Sequence, residues 1–61
     1  MNKPIVKLVG TDGNAFAIIG RVSKALKRAG LRKEAEEFVK EATSGDYNHL
    51  LQTAMKYVEV E

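Results

Sequence analysis

Apolar residues recur at helical spacing from Ala15 through Ile18, Ile19, Val22, Ala25, Leu26 and Ala29, which predicts a helix over residues 14–29. Gly30 is its expected end, because glycine enters the left-handed cap conformation without steric cost. With Phe16 on one margin, the apolar arc covers about half the circumference, wider than the stripe of about 100° that a surface helix needs. This helix is therefore expected to touch two neighbours. A second helix, residues 32–43, places Ala35, Phe38, Val39 and Ala42 on one face with Leu31 at its start, and sets Glu36 four residues before Lys40 in the favourable order. Ser44, Gly45 and Asp46 separate it from a third, with Gly45 suited to ending one helix and Asp46 to capping the next. The third helix is expected to carry Tyr47, Leu50, Leu51, Ala54 and Met55 inward.

The two flanks read differently. Residues 4–9 hold Ile5, Val6, Leu8 and Val9, with Pro4 at the first strand position, where a missing N–H is tolerated. Gly10, Thr11, Asp12, Gly13 and Asn14 then form a turn, and Thr11, Asp12 or Asn14 can cap the helix that follows. Residues 56–61 switch to a period of two, with Val58 and Val60 on one face and Tyr57, Glu59 and Glu61 on the other. An unpaired strand leaves its backbone donors and acceptors unsatisfied, so each flank is the expected partner of the other. The predicted class is α+β: two short terminal strands, paired and covered by three helices (β-α-α-α-β), in a single small domain spanning 1–61. Turns that each reverse the chain would make the pairing parallel, which is the expectation; with no breaker residue between the third helix and the last strand, antiparallel pairing and pairing between chains stay open. The expected core is Leu8, Ile18, Val22, Leu26, Phe38, Leu51 and Val58.

Composition narrows the function classes. A chain of 61 residues buries only about 60% of its unfolded surface, and a two-stranded sheet is marginal on its own. With no cysteine there is no disulfide, thiolate nucleophile or thiolate-bound zinc, which leaves well-packed helices or self-association as the means of stabilisation. The expectation is a homo-oligomer, a dimer, that also meets a protein partner. The first residues carry no apolar run of signal-peptide length, and no stretch approaches the ~20 apolar residues of a membrane span. A cytoplasmic location with no membrane association is expected, and the absence of cysteine suits a reducing compartment.

Ten Lys and Arg against eight Asp and Glu give a net charge of only +2. Their distribution carries more information. Arg21, Lys24, Lys27, Arg28, Arg32 and Lys33 follow one another with no acid between them, after which Glu34, Glu36, Glu37 and Glu41 reverse the sign. Such a face can neutralise phosphates, so a nucleic-acid-binding accessory protein is the alternative to an interaction or assembly module. A charge run of this size is ordinarily a solvated face, and no aromatic residues interleave it for base stacking.

Other motifs are thin. The glycine turn lacks the Gly-Lys-Ser/Thr ending of a phosphate loop and the third glycine of a dinucleotide fingerprint, and Asp12 would repel a phosphate. Helices two and three resemble a helix-turn-helix that would offer Asn48, Gln52, Thr53 and Lys56 to a groove, but the cations lie on a different helix. His49 and Asp46, three apart, make at most two ligands, and no nucleophile stands beside an oriented base. No catalytic, cofactor or metal site is expected, and the protein is not expected to be an enzyme. Gly20 costs about 1 kcal/mol inside a helix and, with Ala17 and Ser23, makes a small-residue patch that a second subunit can approach. Ala17, Gly20, Ser23 and Tyr57 are the candidate interface residues.

The stretches Gly10-Thr11-Asp12-Gly13-Asn14-Ala15-Phe16 and Ser44-Gly45-Asp46-Tyr47-Asn48-His49-Leu50-Leu51, with the closing Tyr57-Val58-Glu59-Val60, resemble a group of short bacterial and phage-encoded proteins of unknown function. The resemblance covers nearly the whole chain. It implies a small cytoplasmic protein in a prokaryotic or phage setting and brings no activity, cofactor or site residue with it.

Overall fold

The computed structural model describes residues 3–8, 10 and 13–61. Its elements follow the expected order: β1 (Ile5–Val6), α1 (Ala15–Arg28), α2 (Arg32–Ala42), α3 (Tyr47–Tyr57) and β2 (Glu59–Val60). The strands pair in parallel, Ile5 beside Glu59 and Val6 beside Val60. Both are shorter than the sequence pattern suggests. On the first flank, Leu8 still donates its N–H to the Glu61 carbonyl at 3.3 Å, while Val9 lies outside the described residues. On the last flank, Tyr57 belongs to the helix and Val58, with extended backbone, carries the chain from α3 straight into β2. No turn is needed there.

Both ends of α1 and the start of α3 have a chemical cause. Asn14 caps α1 by accepting the Ala17 N–H at 3.0 Å, so of the three candidate caps it is the one seen in place; Thr11 and Asp12 lie outside the described residues. Beyond Arg28, Gly30 adopts φ +81°. Its N–H reaches the Lys27 carbonyl at 3.0 Å and the Leu31 N–H reaches that of Leu26 at 2.8 Å. These two bonds form a Schellman cap, which also turns Leu31 back onto the core. Asp46 caps α3 as expected, accepting from the His49 N–H at 2.9 Å.

Gly45 has a different role from the one its position suggests. Thr43 caps α2 with φ −88°, and its hydroxyl donates to the Val39 carbonyl at 2.8 Å, so no left-handed residue is required there. A Cβ on Gly45 would instead lie 2.7 Å from the His49 ring. That glycine makes room for an imidazole.

The core gathers Ile18, Val22 and Leu26 of α1, Ala35, Phe38 and Ala42 of α2, Leu50 and Ala54 of α3, and Val6, Leu8 and Val58 from the strand layer. As its wide apolar arc requires, α1 touches α2, α3 and β1. The rotation of α3 differs from the expected one. Leu50 is buried while Leu51 is only partly so, Tyr47 and Met55 lie at the surface, and Thr53 faces inward. A buried Thr53 is tolerated because its hydroxyl donates to the His49 carbonyl at 2.7 Å. Phe16 does not join the core and stands 89% exposed.

Leu26 is buried beside the cap that ends α1, so Leu26→Ala is expected to cost about 2–5 kcal/mol, which threatens a domain of this size. Urea denaturation checks this, and unchanged stability would contradict the assigned helix face.

Candidate functional site

Pairing between β1 and β2 uses one side of each strand. Glu59 and Glu61 donate their N–H groups to the Pro4 and Val6 carbonyls at 2.9 Å each, and Leu8 donates to Glu61. Strand backbone groups alternate in direction, so those of Ile5 and Lys7 point away from β2, and those of Val60 point away from β1. Among the described residues one of these outward groups has a partner: the Lys7 carbonyl accepts from Arg21 Nη1 at 3.1 Å. Among the described residues no backbone pairs with the outer edge of either strand.

The two edges differ in charge. Between β1 and α1 runs an open groove of about 530 Å³ with Val6 and Ala25 among its walls and Lys7, Arg21, Lys24 and Arg28 as its charged residues. All four are cations. Beside β2 lies a second groove of about 470 Å³, where Ile5, Met55 and Val60 supply apolar surface and Glu59, Glu61 and Lys3 the charge. The Lys3 ammonium donates to the Met55 carbonyl at 3.3 Å.

All six cations proposed for phosphate contact are exposed, but they do not share one surface. Arg21, Lys24 and Arg28 line the groove beside β1. Lys27 lies with Ser23, Ala35, Glu36 and Val39 in a cleft between α1 and α2, and Lys33 lies on α2 beside Glu36 and Glu37. Carboxylates of α2 therefore interrupt the second half of the run. Lys7, which the sequence analysis did not single out, joins the first half because strand pairing brings it across from α1.

The small-residue patch is open at its centre, with nothing within 4 Å of a Cβ built on Gly20, while Ala17 and Ser23 are half-buried. Tyr57 is held inside its own chain. Its ring meets Phe38 edge-on at 5.7 Å and its hydroxyl donates to Glu41 Oε1 at 3.4 Å.

The α2–α3 junction is where the polar groups concentrate. Glu41 pairs with Lys56 at 2.5 Å, the only ion pair among the described residues, so the expected Glu36–Lys40 pair does not form. The His49 ring folds back over Gly45, its Nε2 3.0 Å from the Glu41 carbonyl and 3.4 Å from the Ser44 and Thr53 hydroxyls. The His49 ring thus sits in the helix junction, and among the described residues no three metal-ligating side chains converge. The helix-turn-helix reading loses two of its readers here, since Thr53 is buried and Lys56 is neutralised by Glu41. Anion binding at the start of α1 is also reduced, because Asn14 takes the Ala17 N–H and the Gly13 N–H donates to the Tyr47 hydroxyl at 2.8 Å.

No family model matches the chain, and no curated protein or solved structure matches it either. Function must then be read from the surfaces. No helix among the described residues is long and apolar enough to cross a membrane.

The hydrogen bond and charge of Lys56 hold the Glu41 carboxyl below the usual carboxylate range. Glu41 likewise raises Lys56, and burial followed by the Glu41 charge raises the Tyr57 phenol. A lowered acid stabilises the fold above its unfolded pKa and loses that contribution as pH falls through the folded value. Glu41→Gln is accordingly expected to be less stable than wild type near neutral pH, with the difference closing as pH drops below the ordinary carboxylate range. Thermal melts over an acidic pH series test this; a gap independent of pH would contradict it.

Proposed function

We propose that the protein is a non-catalytic interaction and assembly module that self-associates, a dimer being its smallest assembled species, in the cytoplasm of a prokaryotic or phage setting. One observation carries this reading: among the described residues the sheet has two strands of two residues each and both edges are open. Soluble domains ordinarily blunt or cover a strand edge, because its free N–H and C=O groups are a template for another chain. Here the apolar side chains at the sheet are exposed too, Ile5 by 61%, Met55 by 56% and Val60 by 43%. A sheet this small gains stability when a further strand is added. The reading is supported by an unfinished sheet, while the α2–α3 side of the molecule satisfies its own polar groups.

A second reading, a nucleic-acid accessory protein, draws on the cluster of Lys7, Arg21, Lys24 and Arg28. It competes for the same groove. Phosphate contacts by these cations would be sequence-independent and would weaken steeply with salt.

Light scattering over a concentration series is expected to show a mass that rises from one chain to two or more. A single-chain mass throughout, at low salt, would overturn the assembly reading. Titration of labelled DNA and RNA at two salt concentrations is expected to show no binding, and salt-sensitive binding would favour the second reading instead.

A further inference from the structure

We infer that the two sheet edges are complementary halves of one head-to-tail interface, in which the Glu59–Val60 strand of one copy, continued by Glu61, enters the basic groove between β1 and α1 of the next copy. This rests on the assembly reading above and names its partner and geometry. Three observations support it. The groove carries Lys7, Arg21, Lys24 and Arg28 with no acid among its lining residues. The opposite edge carries exposed Glu59 and Glu61 on either side of Val60, whose N–H and C=O are free among the described residues. The edge of β1 within the groove offers the matching groups of Ile5, the Lys7 N–H and a Lys7 carbonyl already held by Arg21.

Charge decides between the ways two copies can meet. Joining β1 to β1 about a two-fold axis would set each cationic groove against its own image, and joining β2 to β2 would set glutamates against glutamates. Like charges in direct apposition are destabilising. Joining β2 to β1 places opposite charges together and extends the sheet in the order β1-β2-β1-β2. Lys3, the cation lining the groove beside β2 among the described residues, is held on the Met55 carbonyl. Because this contact uses different surfaces on the two copies, it does not stop at two: repetition closes a ring or runs on as a filament.

Two double variants test the pairing, all four substituted residues being exposed in the single chain. In Glu59→Lys/Glu61→Lys both edges are basic; in Lys24→Glu/Arg28→Glu two new carboxylates balance Lys7 and Arg21, and the groove no longer attracts an acidic strand edge. Each alone is expected to self-associate at least about tenfold more weakly than wild type, as replacing the attraction of opposite charges by repulsion or by none does. An equimolar mixture is expected to regain association, since the unaltered acidic strand of the groove variant then meets the unaltered basic groove of the strand variant, and addition of salt should weaken both the mixture and the wild type. Circular dichroism and thermal melts establish that each variant is folded. If wild type assembles but folded variants assemble equally well, or mixing restores nothing, the head-to-tail interface is wrong while self-association stands. A wild type that stays monomeric removes both.

Discussion

The structure depends on a backbone contact between its two most distant segments. Backbone hydrogen bonds join residues 4–8 to residues 59–61, among them those donated by Leu8, Glu59 and Glu61, and each closes a loop of more than fifty residues. Such closure is costly in chain entropy, and a few bonds worth about 1 kcal/mol net apiece do not offset it alone. The helices supply the difference. Val6, Leu8 and Val58 are buried against the same cluster that holds Ile18, Leu26 and Phe38, so strand pairing and helix packing form one cooperative unit. Loss of either exposes the other.

Parallel pairing also determines which surfaces remain. Three helices between the strands return the chain in the same direction, and the sheet ends with one edge beside the cationic side of α1 and the other beside two glutamates. Lys7 reaches Arg21, Lys24 and Arg28 only through this arrangement. The opposed charges of the edges therefore follow from topology as much as from composition, since a net charge of +2 gives no hint of them.

Much of the fold is legible in the sequence where periodicity and end signals agree. The stripe Ile18-Val22-Leu26, the glycine at position 30 and the aspartate at 46 act in the structure as their chemistry suggests. Helix α3 is harder to read because its apolar residues cover too broad an arc to fix its rotation. Leu51 and Met55 look like core residues by type, yet Thr53 takes the inward position, with its hydroxyl satisfied by the His49 carbonyl. Gly45 shows a different limit: its meaning lies in the His49 ring 2.7 Å from a would-be Cβ, a tertiary contact that no local signal announces. For the candidate site, the run of cations from Arg21 to Lys33 is visible, but its division by the carboxylates of α2 and its enlargement by Lys7 require the packed helices.

Amide hydrogen exchange across residues 58–61, followed by NMR in salt high enough to keep copies apart, addresses the strand pairing most directly. The account requires alternation: slow exchange at Glu59 and Glu61, whose N–H groups donate to Pro4 and Val6, and fast exchange at Val60, whose N–H points away. Uniformly fast exchange at all three, or protection at Val60 with Glu59 and Glu61 open, would show that the strands do not pair in this register.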